Sequence, residues 1–158
     1  DPRTVKLIKL NAPQATLITG VVGVEDGETT FYLARNASWR QSTTPVEGGI
    51  PLTVPAISFV KLVQGKDVIK CDIEGGERVL PWEKVPSTVK TIGIEIHNYR
   101  ENMQFAKEFF SLMQSKGFKS EISKSTPPSR ECDKVFILKR KNFLSPQHHH
   151  RNSYAISR

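Results

Sequence analysis

The sequence predicts an α/β domain built on one mostly parallel sheet that closes with an antiparallel hairpin. Three observations lead there. Apolar, largely β-branched runs at 15–24, 67–73 and 91–97 suit strands covered on both faces. An amphipathic helical pattern occupies 101–116. Two strand patterns then follow one another, at 118–122 and 134–138, with no helix between them. A chain of 158 residues with 37% apolar content holds one such domain with a core of its own.

Taken in order, residues 4–10 read as a short amphipathic helix, with Val5 and Ile8 at i, i+3 and a stop at Asn11-Ala12-Pro13. The run ATLITGVVGV (15–24) is a strand, EDGE (25–28) a turn, and TTFYLA (29–34) a second strand. Residues 35–49 lose all period and carry Pro45 and Gly48-Gly49, which makes a loop long enough to have a function or to be disordered. An extended segment at 51–59 leads through 60–63 to the turn at Gln64-Gly65-Lys66, and DVIKCDI (67–73) is the next strand. Residues 77–82 read as a short helix and TIGIEIH (91–97) as a strand. The helix at 101–116 carries Phe105, Phe109, Leu112 and Met113 on one face, and Gly117 closes it. Residues 1–143 are expected to form the domain, with 144–158 a basic disordered tail.

Charge is unevenly placed. Residues 1–115 hold 13 basic and 13 acidic side chains and residues 116–158 hold 10 and 3, so the C-terminal third carries the whole net charge of +7. Such a surplus can attract nucleic acid, although charge runs at strand ends more often serve solubility. No apolar run is long enough to cross a bilayer, and no secretory signal opens the chain. Cys71 and Cys132 are the only cysteines and lack metal-like spacing, which argues against a disulfide framework and for a reducing, cytoplasmic setting. Asn36-Ala37-Ser38, Trp39 in its polar loop, and the His148-His149-His150 tract are weak signals for glycosylation, substrate contact and metal binding.

Chemistry concentrates at two strand ends. In an α/β sheet, ligands collect beyond the carboxyl ends of the strands. There the sequence places Asp72, Glu74 and Glu77 around Gly75-Gly76, and Glu95 and His97 alternating with isoleucine. A buried strand needs no such acids. Asp72, Glu95 and His97 are therefore the catalytic candidates, with His97 a general base or a metal ligand, and Glu74 and Glu77 the substrate-binding candidates. Lys70 shares the Asp72 face and is expected to pair with an acid.

The string IKCDIEGGE (69–77), followed some twenty residues later by IEIH (94–97), resembles the FkbM family of S-adenosylmethionine-dependent methyltransferases. Asp1-Pro2 before a helix ending at Asn11, and the stretch ATLITGVVGVEDGETTFYL (15–33), are also similar to that family. The resemblance spans about residues 1–140 and is most specific in the middle. It implies a class I methyltransferase (Rossmann-like) fold with an antiparallel last strand, and methyl transfer from S-adenosyl-L-methionine, commonly to a hydroxyl of a small molecule or glycan. It also implies that Asp1 is the acid that contacts the cofactor and that Val22 lies against the adenine. The N-terminal part of the family's sheet, with its glycine-rich cofactor loop, is expected to be missing, since Gly20, Gly23 and Gly27 have the wrong spacing to replace it. A divalent metal ion bridging the Asp72 and Glu95 carboxylates is a further expectation. Two alternatives stay open: a non-catalytic half-domain that binds a partner, and an RNA-directed methyltransferase acting through the basic C-terminal third.

Overall fold

Ile92, Ile94 and Ile96 alternate with Thr91, Gly93 and Glu95, and this period of two divides one sheet of the molecule into a covered face and an open one. The computed structural model describes residues 2–33, 43, 45, 48–122 and 133–141. Along the chain run α1 (Pro2–Asn11), β1 (Val21–Gly23), β2 (Gly27–Leu33), β3 (Ile50–Ser58), α2 (Phe59–Val63), β4 (Val68–Cys71), two 3-10 turns (Gly76–Val79 and Trp82–Lys84), β5 (Thr91–Ile96), α3 (Met103–Ser115), β6 (Phe118–Ile122) and β7 (Lys134–Arg140).

The fold is α/β, but the expected single, mostly parallel sheet is corrected to two mixed sheets with the orders β1-β3-β2 and β4-β5-β7-β6. Only two of the five pairings among the described residues are parallel, β1 with β3 and β4 with β5. In the larger sheet β5 and β6 are both antiparallel to β7, so β4, β5 and β6 point one way and the last strand lies reversed between two of them.

Two expected elements differ for physical reasons. Residues 15–20 form no strand: β1 pairs with β3 only over Ala56–Ser58, starting at Val21. Residues 77–82 form no α-helix, because Pro81 has no N–H to bond back to the Glu77 carbonyl. The indole N–H of Trp82 takes that carbonyl instead, at 2.8 Å. Residues 60–63, expected only to lead into a turn, belong to α2. The expected loop at 35–49 lies largely outside the described residues, as do Asp1, the Asn36-Ala37-Ser38 triplet, Trp39, Cys132 and the tail 144–158.

The core fills the covered face of the larger sheet. Ile69 and Cys71 of β4, the three isoleucines of β5, and Phe136 and Leu138 of β7 meet Ala106, Phe109 and Met113 of α3. Aromatic rings link the layers edge to face, from Phe59 to Trp82 at 5.0 Å, Trp82 to Phe109 at 5.0 Å, and Phe110 to Phe136 at 4.7 Å. Val68 and Ile137, on the opposite face, are exposed. Arg140 closes the far end of the sheet: it donates to the carbonyls of Val89, Lys116 and Pro86 and lies over the Phe118 ring. Lys139 pairs with Glu121, so part of the C-terminal basic surplus is engaged within the fold.

Gly20 explains itself here. A Cβ at this position would stand 2.6 Å from the Pro55 carbonyl oxygen, a backbone atom, whereas one at Gly27 would meet nothing within 4 Å. Gly20→Ala is therefore expected to destabilise the protein by about 1–3 kcal/mol and Gly27→Ala by well under that. Urea denaturation of the two variants checks the difference, and equal midpoints would contradict the packing described.

Candidate functional site

The site is made where β4 and β5 end. Their parallel register matches Cys71 with Ile94, so the next residues on the open face, Asp72 and Glu95, stand side by side. One oxygen of each carboxylate and a ring nitrogen of His97 all lie within 4.8 Å of one another. Asp72 divides its two oxygens: Oδ2 accepts from Lys70 Nζ at 3.1 Å, as the shared face suggested, and Oδ1 is 3.9 Å from His97 Nε2.

His97 is nearly buried, and Glu77 holds it there. The Glu77 carboxylate is 1% exposed and its Oε1 is 2.9 Å from His97 Nδ1. The same oxygen accepts the backbone N–H groups of Ile73 at 3.2 Å and Gly75 at 3.3 Å. With Nδ1 turned to Glu77, Nε2 faces the cluster, 3.3 Å from Glu74 Oε2. The loop between β4 and the first 3-10 turn thus folds around a buried acid, which in turn aims an imidazole from the neighbouring strand.

Backbone geometry at both strand ends is unusual. Glu74 and Asn98 have φ of 54° and 48°, in the left-handed region that side chains other than glycine seldom adopt. Asn98 is held by its N–H bond to Asp133 Oδ1 at 2.9 Å, and Asn102 Nδ2 donates to the His97 carbonyl at 2.7 Å. Asn102 Oδ1 accepts from Arg78, which also bonds the Gly75 carbonyl. A network of polar side chains therefore ties the two strand ends together.

Glu77 was expected at the substrate. Its burial and its bonds to His97, Ile73 and Gly75 correct this: it is a positioning residue. Glu74, with a side chain 61% exposed, does stand at the rim of the cluster. Val22 is half-buried and packs against the core, where it offers an apolar surface and no polar contact to a cofactor. Asp1 lies outside the described residues. Sequence reasoning missed Asn102, Arg78 and Asp133, whose only sequence signal is their polarity. Trp82, missed for the same site, was visible only as a helix residue.

The electrostatics follow from the packing. The hydrogen bond to Glu77 raises the His97 imidazole to about 9 against the opposing effect of burial, helped by the charges of Glu77, Glu74 and Asp133. Burial pushes the Glu77 carboxyl up, yet the hydrogen bonds from His97 and from backbone N–H groups outweigh it and leave the group below its ordinary value. Glu95 is raised, first by burial and then by the Asp72 charge. A value near 9 favours the protonated imidazole at neutral pH, which weighs against the general-base role and leaves the alternative of a metal ligand open. Burial likewise drives the Cys71 thiol up to about 12, which makes it an inert core residue.

No family model, curated protein sequence or solved structure matches the chain. Among the described residues, no helix is long and apolar enough to cross a membrane.

The Glu77–His97 pair makes stability depend on pH in a defined way. A raised His97 value contributes stability that is fully present below 6.5 and is lost as pH climbs through about 9. A lowered Glu77 value contributes stability that is present above 4.5 and is lost as pH falls through the folded value. In chelator, the urea midpoint is expected to fall on the alkaline side between those two His97 values, and Glu77→Gln should flatten that limb. An identical slope in wild type and variant would show that the pair does not couple to folding.

Proposed function

We propose that the ends of β4 and β5 form the acceptor side of an S-adenosylmethionine-dependent O-methyltransferase, acting on a hydroxyl of a small molecule or glycan. The observation that carries this reading is the pairing of Asp72 and Glu95 on adjacent parallel strands, beside an imidazole aimed at them by a buried acid. A hydroxyl placed between two carboxylates can donate its hydrogen to one of them and be turned by the other, which fixes the direction of an oxygen lone pair.

The resemblance of IKCDIEGGE and IEIH to the FkbM family supplies the reaction class, and the reversed last strand β7 agrees with a class I methyltransferase half-sheet. S-adenosylmethionine, when bound, supplies a methyl group on a sulfonium sulfur. Val22 would give it an apolar wall. This chain's own residues act on the acceptor. Asp72 and Glu95 accept its hydroxyl hydrogen, and the proton released as oxygen takes up the methyl group passes to one of the two. Glu74 at the rim meets the outer part of the acceptor, and the buried His97 fixes the floor of the site.

In the full-length protein, Asp72→Asn and Glu95→Gln keep the side-chain shape and remove a proton acceptor. Each is expected to lower the rate of methyl transfer from labelled S-adenosylmethionine to a panel of hydroxyl acceptors by about a hundredfold or more, with the circular dichroism spectrum unchanged. Rates within about threefold of wild type, a cost below about 1 kcal/mol, would show that the pair is architectural.

A further inference from the structure

We propose that Asp72, Glu95 and His97 form a binding site for one divalent transition-metal cation such as Mn²⁺, with Glu77 as the residue that positions the imidazole for it. The cluster is a mixed nitrogen and oxygen set, one imidazole and two carboxylates, contributed by two adjacent strand ends. Carboxylates suit hard cations such as Mn²⁺ and Mg²⁺, and an imidazole adds affinity for transition metals.

Geometry is the first support. The three ligand atoms lie within 4.8 Å of one another. Cation bonds of about 2.0–2.2 Å set neighbouring ligand atoms about 3.0–3.6 Å apart. Closing the set needs shifts of about an ångström, which side-chain rotation supplies without moving either strand. Asp72 Oδ1 faces the imidazole because Lys70 holds Oδ2, and Lys70 itself is half exposed and can swing into solvent.

The second support is the partner on the far side of the ring. Metal-bound histidines almost always donate their other N–H to a carboxylate or carbonyl, which fixes the tautomer and the ring direction. Glu77 stands in that place, 1% exposed and 2.9 Å from Nδ1, with two backbone N–H groups holding its oxygen. Nε2 of a nearly buried ring is thereby turned to the carboxylate pair. Charge agrees with geometry. Four carboxylates, those of Asp72, Glu74, Glu77 and Glu95, surround one imidazole, and Lys70 pairs with Asp72. A divalent cation offsets that excess.

The site stands on its own geometry and does not depend on the methyl-transfer reading. The probe is Mn²⁺, followed through the loss of its free-ion paramagnetic resonance signal on titration into the whole chain. The background carries His148, His149 and His150 replaced by alanine, so that the tail histidines contribute nothing. One ion per chain is expected, at micromolar to tens of micromolar concentration. Asp72→Asn, Glu95→Gln and His97→Gln should each weaken it at least tenfold, and Glu77→Gln about 10–100-fold, while Glu121→Gln on β6 should leave it unchanged. Circular dichroism establishes that each variant is folded, and agreement among the folded variants is sufficient. Uptake only at millimolar Mn²⁺, or uptake indifferent to Asp72→Asn and Glu95→Gln, overturns the proposal. Methyl transfer that persists in chelator would leave the methyl-transfer reading standing whatever the Mn²⁺ titration shows. Tight Mn²⁺ binding without any methyl transfer would support the metal site and contradict the methyl-transfer reading.

Discussion

One buried carboxylate organises the functional end of this molecule. Glu77 sits almost wholly out of water, where an isolated charge would be costly, and it is tolerated because three donors converge on it. Two of these come from the loop that follows β4 and the third from the imidazole at the end of β5. The carboxylate therefore joins two strands that the sheet brings together but whose ends the ladder leaves unpaired. Its own backbone carbonyl receives the Trp82 indole, which fastens the same turn to the aromatic core. Loss of the charge would loosen the loop and free the ring direction, while the bond from Trp82 to the Glu77 backbone carbonyl does not depend on it.

What the arrangement can do depends on the faces of the sheet. α3 and the aromatic chain cover one face, and Asp72 and Glu95 emerge on the other, where partial burial keeps them close without removing them from solvent. Desolvation and mutual repulsion raise Glu95, and the cationic imidazole opposes that rise. Groups held in this balance respond to whatever cation or hydroxyl enters between them. Left-handed backbone at Glu74 and Asn98 is part of the same construction, since both residues turn the chain sharply where the strands stop.

Much of this was legible in the residues. Period-two alternation placed Glu95 and His97 on one face, and the shared position of two strand ends predicted that Asp72 and Glu95 would meet. The i, i+4, i+7 pattern from Phe105 to Met113 read as the helix it is. What could not be read was burial. An acid after a glycine pair looks like a loop residue or a helix N-terminus, and only the return of β5 with His97 shows that Glu77 points inward. Pro81 carried a readable warning against a helix at 77–82. The run at 15–24 read as a strand because β-branched residues favour one, but pairing with β3 begins only at Val21. That the strands divide into two mixed sheets is a matter of long-range pairing, which no local pattern carries.

The central claim is that Glu77 holds His97 through Nδ1 and leaves Nε2 to the carboxylate pair. Its most direct test is the long-range ¹H–¹⁵N correlation spectrum of the imidazole ring in chelated, metal-free protein, with the signals assigned by their loss in His97→Gln. The account predicts that at pH 7.5 both ring nitrogens are protonated, and that the ring loses its proton near 9, well above its ordinary value of 6.5. It also predicts that Glu77→Gln brings the titration back towards that ordinary value. A wild-type ring that is neutral at pH 7.5, or one whose titration Glu77→Gln does not move, would contradict it.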